Sequence, residues 1–233
     1  MSLSSHSAQV AQMLDAIAED ARFTANLTGR AEFSPQVMEA MRTVPRNAFV
    51  PDAMVDCAFE NRPLPIGNGQ TISQPYIVAL MTDLLDPQPS HTILEVGTGC
   101  GYQAAVLGYL VRRVYSIEIV AALQQTTAQR LQRLGYDNIT TRLGDGSLGW
   151  PEHAPYDGII VTAACPEVPP ALLEQLRPGG RLIAPQGHPH STQNLILMKK
   201  DLDGHLTTRT VLPVAFVPLT GNTQPGPRPS APG

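Results

Sequence analysis

Cysteine is scarce in this chain of 233 residues, and the few cysteines that occur lie far apart. Cys57, Cys100 and Cys165 are odd in number and form no Cys-x-x-Cys pair. We therefore expect neither a disulfide framework nor a structural zinc site, which needs about four ligands. This cysteine usage predicts a reducing, cytoplasmic compartment and a protein without a bound metal.

Long apolar runs and a strong charge of either sign are also missing. No stretch approaches the ~18 consecutive apolar residues of a membrane helix, and the N-terminal region lacks the basic and apolar segments of a secretory signal. The 16 basic and 20 acidic residues give a net charge of −4, so the chain lacks the strongly basic composition typical of nucleic-acid binding, while a local basic patch stays open. We expect neither a membrane nor a nucleic acid as a partner.

The composition does supply a sizeable core, because 42% of the residues are apolar and only 15% are charged. Residues 1–60 carry apolar stripes at helical spacing, and Ser34 followed by Pro35 is typical of a helix start. This region is predicted to be an N-terminal helical annex. Residues 221–233 contain four prolines and three glycines and are predicted to be a disordered tail.

Residues 61–220 are predicted to form a single α/β domain. Strand and helix patterns alternate over residues 91–213, and the last two strands are joined by a tight Asp203-Gly204 turn. This order predicts a doubly wound, mostly parallel sheet that ends in an antiparallel strand pair. Residues 61–76 are rich in proline and glycine, which predicts a long loop without regular structure, of the kind that often carries function.

A glycine-rich turn follows the first strand of this domain. The turn, Gly97–Gly101, differs from the dinucleotide fingerprint because Tyr102 stands where the last glycine of that pattern would be. Glu95 lies at the end of the strand, where a carboxylate disfavours a pyrophosphate and favours a ligand with a cationic end. S-adenosylmethionine, which carries a sulfonium and an ammonium, is such a ligand.

Two more acids follow the next two strands. Glu118 comes 21 residues after Gly97, a position from which a carboxylate accepts hydrogen bonds from the hydroxyls of a ribose. Asp145 follows the third strand and is predicted to accept from the amino group of an adenine. The alternative for all three acids is an ordinary solvated loop position.

Several segments together resemble the protein-L-isoaspartate(D-aspartate) O-methyltransferase family. They are GTGCGYQAA at 97–105, GDGSLGW at 144–150, APYDGIIVTAA at 154–164, PIGNGQTISQP at 65–75, and the shorter VPRNAF at 44–49 and FVPL at 216–219. The resemblance covers about residues 35–220, and the TISQP segment is its most specific part. It implies a Rossmann-like methyltransferase fold, with residues 61–220 as the methyltransferase domain and 61–76 as its active-site loop.

The resemblance also implies site residues. Ser73 would be the active-site serine, and Thr71, Ser73 and Thr220 would contact the substrate. The residues implied to bind S-adenosylmethionine are Thr71, Ile72, Gln74, Glu95, Gly97, Gly99, Gly101, Glu118, Asp145 and Gly146. Cys100 departs from the family, which commonly has a small hydroxyl residue at this position.

The implied reaction is methylation of the side-chain carboxylate of an L-isoaspartyl residue in a damaged protein or peptide. Such a carboxylate has a pKa near ~4 and is ionised at neutral pH, so the reaction needs no general base. The hydroxyls of Ser73 and Thr71 would orient it for in-line attack. The methyl ester would then cyclise to a succinimide, whose hydrolysis returns some normal aspartate.

Two alternatives stay open from the sequence. One is a methyltransferase of the same fold with another carboxylate or a small molecule as acceptor; the Thr162–Cys165 segment lacks the Asn/Asp-Pro-Pro-aromatic pattern of amine-directed enzymes. The other is a non-catalytic recognition module that has kept the fold.

Overall fold

Nine strands and six α-helices account for most of the described residues, which are 3–188 and 191–221 of a computed structural model. The helices are α1 (Leu3–Thr28), α2 (Pro35–Thr43), α3 (Pro75–Leu85), α4 (Tyr102–Leu110), α5 (Ala121–Arg133) and α6 (Pro170–Gln175). The strands are β1 (Leu64–Gly67), β2 (Gln70–Ile72), β3 (Thr92–Val96), β4 (Arg113–Glu118), β5 (Ile139–Leu143), β6 (Tyr156–Val161), β7 (Leu176–Gln186), β8 (Gln193–Lys200) and β9 (Leu206–Val214).

Seven of these strands form the central sheet, in the order β5-β4-β3-β6-β7-β8-β9. The pairs from β5 to β7 are parallel, and β8 and β9 are added antiparallel. The predicted mostly parallel, doubly wound sheet with a C-terminal antiparallel pair is therefore confirmed. The strand order reverses between β3 and β6, and a ligand site is expected beyond the carboxyl ends of the strands at such a point.

The core explains why the short apolar runs of the sequence become strands here. Every residue of β3 is buried, and so are Ile159, Ile160 and Val161 of β6. A parallel sheet with helices on both faces buries both faces of its central strands, so these runs read as continuously apolar rather than alternating.

The N-terminal helices pack onto the same core as the sheet. Ile17 of α1 and Val37 of α2 belong to one cluster of buried side chains with Ile93 of β3. The predicted start of α2 is confirmed, because the Ser34 hydroxyl accepts a hydrogen bond from the Val37 backbone N–H. The boundary placed near residue 60 stays a prediction.

The prediction of an irregular loop over residues 61–76 is wrong for most of its length. β1 and β2 pair as an antiparallel hairpin within it. Gly67, Asn68 and Gly69 all adopt positive φ angles, of 91°, 53° and 70°, which lets the chain reverse tightly between the strands. Pro63 precedes β1, so only Pro65, which lies opposite Thr71, has to be accommodated within the pair, and each strand of a two-stranded pair has one unpaired edge.

Two further predictions concern a membrane-spanning helix and the C-terminal tail. Among the described residues, no helix combines the length and the apolar character that crossing a membrane requires. The predicted tail at 221–233 lies outside the described residues, except for Gly221.

Candidate functional site

A cleft opens beyond the carboxyl ends of β3, β4 and β6, at the point where the strand order reverses. Together with the solvent-filled space at its mouth, the cleft encloses about 790 Å³. The sequence-predicted residues that line this cleft are Thr71, Ile72, Ser73, Glu95, Gly97, Gly99, Glu118, Gly146 and Thr220. The hairpin, the sheet edge and the C-terminal segment thus meet around one space.

The glycine turn brings backbone, rather than side chains, to the wall of the cleft. Gly97 has a φ of 95°, and a Cβ built there would lie 2.5 Å from the Thr162 hydroxyl oxygen. That hydroxyl donates a hydrogen bond of 2.6 Å to the Gly97 carbonyl. Position 97 therefore has no room for a side chain, and Thr162 is a cleft residue that the sequence interpretation missed.

Glu95 is the most unusual charged group of the cleft, because it is completely buried. The Ser116 hydroxyl donates to its Oε2, while Oε1 has no hydrogen-bond partner among the described residues. Burial raises the pKa of this carboxyl to about 8, and the nearby Glu118 charge adds to the rise, while the Ser116 hydroxyl and the Ala104 backbone N–H oppose it. A buried carboxylate oxygen without a partner, in a cleft, is complementary to a cationic group such as an ammonium.

Glu118 holds the glycine turn in addition to facing the cleft. Its Oε2 accepts from the Gly99 backbone N–H at 2.7 Å, and its Oε1 accepts from the Val120 N–H at 2.9 Å. Each carboxylate oxygen can accept a second hydrogen bond, so the side chain remains able to receive ligand hydroxyls. The turn geometry and any ligand contact are therefore coupled through this one side chain.

Three predicted cofactor residues lie outside the lining of the cleft. The Gln74 side-chain amide donates to the Asp20 carboxylate at 3.2 Å. Gly101 directly precedes α4 with a φ of 90°, and a Cβ there would lie 2.7 Å from the Thr127 side chain of α5. Asp145 accepts from the Ser147 backbone N–H at 2.9 Å, next to the cleft residue Gly146. The binding roles implied for these three residues stay predictions.

Ser73 directly follows β2 of the hairpin, and its backbone carbonyl accepts a hydrogen bond from a buried arginine. Arg46 is fully buried, and its Nη2 donates to the Ser73 carbonyl while its Nε donates to the Ala58 carbonyl, both at 2.8 Å. The guanidinium lies 4.8 Å from the ring centre of Tyr102, which also lines the cleft. Burial lowers the pKa of this guanidinium, which nonetheless stays charged at neutral pH. The sequence interpretation saw Arg46 only as part of a flanking motif.

A second groove adjoins the cleft and is called the side groove here. Four residues line both spaces, namely Thr71, Ser73, Thr162 and Val217. The other residues that line the side groove are Asp20, Thr24, Pro63, Gln74, Tyr76, Ile77 and 212–216. A ligand in the cleft and a larger molecule in the side groove would therefore meet at Ser73.

The C-terminal segment, residues 217–220, lines the cleft and is hydrogen-bonded to the backbone of Ala164, which follows β6. The Ala164 N–H donates to the Val217 carbonyl at 2.8 Å, and the Leu219 N–H donates to the Ala164 carbonyl at 2.7 Å. These two bonds hold Thr220 at the rim of the cleft. The FVPL segment of the sequence thus contributes to the site although it is distant from the other motifs.

The arginine contacts lead to a prediction for Arg46→Lys. Lysine keeps the charge but cannot donate to both carbonyls with the geometry of a guanidinium, so we expect kcat to fall about tenfold through misplacement of Ser73. The dissociation constant of the cofactor should change less than about twofold, since Arg46 does not line the cleft. Steady-state kinetics and equilibrium titration would measure the two quantities.

A double-mutant cycle separates this positioning role from a general loss of stability. In a Ser73→Ala background, Arg46→Lys should lower kcat much less, because the hydroxyl that it positions is already gone. The same fall in both backgrounds would contradict the prediction. Arg133→Lys, on the exposed face of α5, is the matched control and should leave kcat unchanged.

Comparison with known proteins places the chain among methyltransferases. Residues 21–224 match the model of the family described as protein-L-isoaspartate(D-aspartate) O-methyltransferase. Protein-L-isoaspartate O-methyltransferase 2 of Syntrophobacter fumaroxidans is 61% identical over 211 residues, covering 91% of this chain and 85% of that protein.

Solved structures give the same result for the fold. A protein-L-isoaspartate O-methyltransferase structure superposes with a TM-score of 0.80 at 28% identity, covering 92% of this chain and 67% of that chain. A Plasmodium falciparum structure that contains S-adenosyl-L-homocysteine has a TM-score of 0.70 at 23% identity, covering 89% of this chain and 98% of that one. The second likeness shows the fold alone.

Proposed function

The chain belongs to the protein-L-isoaspartate(D-aspartate) O-methyltransferase family, and we infer that it methylates the side-chain carboxylate of L-isoaspartyl residues in damaged proteins and peptides. The methyl donor is S-adenosylmethionine. The observation that carries this proposal is that Ser73 lines both the cleft with Glu95 and Glu118 and the adjoining side groove. Donor and acceptor can therefore approach each other at one hydroxyl.

The cleft residues suit S-adenosylmethionine, whose sulfonium supplies a methyl group for in-line displacement. The unpartnered Oε1 of Glu95 is proposed to pair with the ammonium of the methionine portion, alongside the backbone of Gly97 and Gly99. Glu118 is proposed to accept the ribose hydroxyls, and Asp145 with Gly146 the adenine. The remaining proposed cofactor contacts are Thr71, Ile72, Gln74 and Gly101.

The protein's part in the reaction is orientation rather than proton transfer. An acceptor carboxylate with a pKa near ~4 is already ionised at neutral pH, so the site needs no base. The Ser73 and Thr71 hydroxyls donate to the carboxylate oxygens and aim one of them into the cleft, while Thr220 is proposed to contact the substrate from the C-terminal segment. Correct placement of two reactants is worth several kcal/mol of the barrier.

The repair outcome follows from the reactivity of the product ester. The neighbouring backbone nitrogen attacks the methyl ester carbonyl, methanol leaves, and a succinimide ring forms. Water then opens the ring at either carbonyl, so part of the material returns to normal aspartate. These steps need no residue of the enzyme, because the activated ester cyclises after release.

We expect Glu118→Ala to weaken cofactor binding by about 1–3 kcal/mol, as loss of charge-assisted hydrogen bonds should. Part of this loss would come from the glycine turn, since the Gly99 N–H loses its acceptor, as does the Val120 N–H after β4. Equilibrium titration of the cofactor would measure it. Glu174→Ala, on the exposed face of α6, is the control. An unchanged dissociation constant for Glu118→Ala would remove this side chain from the site.

The proposed activity is tested with one peptide made in two forms, isoaspartyl and ordinary aspartyl. Transfer of the methyl group to the isoaspartyl form alone supports the proposal. Cofactor binding without transfer to either form would instead favour another acceptor or a non-catalytic recognition module. Transfer to both forms at equal rates would show that the enzyme is a less selective carboxyl methyltransferase.

Further proposals concern the cellular location of the enzyme, its partners and its domain boundaries. We propose a cytoplasmic location, supported by three free thiols and the absence of disulfides from the described residues. We propose no nucleic acid, membrane or metal as a partner, supported for nucleic acid by the net charge of −4. Residues 61–220 remain the proposed methyltransferase domain, with residues 1–60 as its helical annex.

A further inference from the structure

Three side chains form a buried chain of hydrogen bonds at the base of the cleft. The Ser116 hydroxyl of β4 is hydrogen-bonded to Glu95 Oε2, and the Thr98 hydroxyl of the glycine turn lies 2.6 Å from Ser116 Oγ. All three residues are buried. Glu95 and Thr98 line the cleft, whereas Ser116 does not, so Ser116 can act on a ligand only through its two neighbours.

The register of the sheet places the Ser116 hydroxyl beside the buried carboxylate. Glu95 of β3 lies directly opposite Ser116 in the parallel β3–β4 pair. Ser116 and Glu118 are two residues apart on β4, so their side chains project from the same face of the sheet. Ser116 bonds the Thr98 hydroxyl, and Glu118 accepts from the Gly99 N–H at 2.7 Å. One face of β4 therefore holds the glycine turn as well as the carboxylate.

The direction of the hydrogen bonds in this chain depends on the charge of Glu95. An ionised carboxylate only accepts, so Ser116 then donates to Glu95 and its oxygen accepts from Thr98. A hydrogen bond to an ionised acceptor is about twice as strong as one between neutral groups, and a hydroxyl that accepts a bond donates a stronger one. The two hydroxyls therefore stabilise the ionised carboxylate more than the neutral carboxyl.

The other polar groups around Glu95 favour its ionised form less than Ser116 does. The like charge of Glu118 raises the pKa of Glu95, and the Ala104 backbone N–H of α4 lowers it by less than the Ser116 hydroxyl. Burial raises the pKa of the Cys100 thiol in the glycine turn, so this thiol is neutral at pH 7. Among the described residues that act on Glu95, Ser116 is thus the one on which its ionisation most depends.

We propose that Ser116 and Thr98 are positioning residues for cofactor binding, because they hold the Glu95 carboxylate through Oε2 and leave its Oε1 for the ammonium of the ligand. The proposal rests on the proposed function, in which Glu95 binds that ammonium. Oε1 is the oxygen without a partner among the described residues. Since Ser116 does not line the cleft, its effect on binding depends on how much of Glu95 is already ionised, and therefore on pH.

The test is Ser116→Ala, titrated at equilibrium with S-adenosyl-L-homocysteine, which carries the same ammonium as the methyl donor. At about pH 6.5 the dissociation constant should rise about tenfold, which corresponds to about 1.4 kcal/mol less stabilisation of the ionised carboxyl. At about pH 9 it should rise less than about twofold, because at least half of Glu95 is then ionised in both proteins. Comparing the two proteins at one pH cancels the titration of the ligand's own amino group.

The ligand-free protein should show the opposite pH dependence. The folded pKa of Glu95 is raised, so its contribution to stability is complete below the ordinary pKa of 4.5 and is lost as the pH rises through about 8. Without the Ser116 hydroxyl the ionised form is less stable still. Ser116→Ala should therefore raise the unfolding equilibrium constant about fivefold more at about pH 9 than at about pH 6.5, measured by denaturant titration.

Three further variants serve as controls. In a Glu95→Gln background, Ser116→Ala should have effects that do not change with pH, since glutamine does not titrate. Thr98→Val keeps the shape of the side chain and should repeat the pattern of Ser116→Ala at a smaller size. Thr92→Val removes a buried hydroxyl at the other end of β3, where it accepts from Arg112 at 3.0 Å, and should leave the dissociation constant unchanged at both pH values.

The outcomes separate this inference from the proposed function. An unchanged dissociation constant in Ser116→Ala, or an equal rise at both pH values, would overturn the inference and leave the proposed function intact. An unchanged dissociation constant in Glu95→Gln would overturn the inference together with the proposed ammonium contact. The expected pH pattern in a wild-type protein that methylates no isoaspartyl peptide would support the inference and contradict the proposed function.

Discussion

Ser73→Ala should lower kcat about 10- to 100-fold and leave the cofactor dissociation constant within about twofold of wild type. The expected loss is that of one hydrogen bond to a charged group, about 1.5–3 kcal/mol. The effect falls on turnover because the hydroxyl is proposed to orient the acceptor carboxylate rather than to hold the donor. Single-turnover methyl transfer and equilibrium titration of the cofactor would measure the two quantities separately.

The control for Ser73→Ala is Ser191→Ala, which removes an exposed hydroxyl between β7 and β8. It should change neither quantity. Equal losses of turnover and cofactor affinity in Ser73→Ala would show that Ser73 is a cofactor ligand. A full rate without the hydroxyl would assign the orientation of the acceptor to another group, with Thr71 as the neighbouring candidate in the hairpin.

Glu95→Gln should weaken cofactor binding about 100-fold, or by about 3 kcal/mol. Glutamine keeps the shape and an acceptor oxygen for Ser116, but it removes the charge that is proposed to pair with the ammonium in a buried site. Breaking a buried pair by removing one partner typically costs 3–5 kcal/mol, and the ligand's solvation outside the site offsets part of it. Equilibrium titration would measure the loss, with Glu174→Gln as the exposed control.

The raised pKa of Glu95 also predicts how the ligand-free protein responds to pH. The pKa of this carboxyl is 4.5 when the group is exposed and about 8 in the folded protein. Between these two pH values the folded state therefore keeps a proton that the unfolded state has lost. This contribution to stability is complete below the ordinary pKa and is lost as the pH rises towards about 8. Glu95→Gln should therefore reduce the fall in the free energy of unfolding between pH 5 and about pH 8, measured by denaturant titration.

The same titration should be visible when the cofactor binds. At about pH 6.5 the Glu95 carboxyl is mostly protonated, and pairing with an ammonium requires its ionised form. Wild-type protein should then release about one proton for each cofactor bound, as measured by calorimetry in buffers of different ionisation enthalpy. Equal proton release by Glu95→Gln would assign the proton to another group and contradict the pairing.

Much of the architecture could be predicted because it depends on short-range patterns. The apolar run of β3 followed by the glycine turn and α4 lies within residues 92–110, and the local sequence determines each of these elements. The acids Glu95 and Glu118 could be assigned to one edge because parallel strands end on the same side of a sheet. Residues 64–72 were misjudged because the positive φ angles that close the hairpin override the low strand preference of proline and glycine.

The sequence by itself determined the α/β class, the glycine turn with its acids, and the family resemblance, since each is encoded within a short segment. Only the tertiary structure decided the surroundings of those residues. Arg46 reaches the Ser73 carbonyl across 27 positions of the chain, and Asp20 reaches Gln74 across 54. The burial that raises the pKa of Glu95 also comes from elements packed around it. Contacts between distant segments depend on how whole elements pack, which no local pattern of residues specifies.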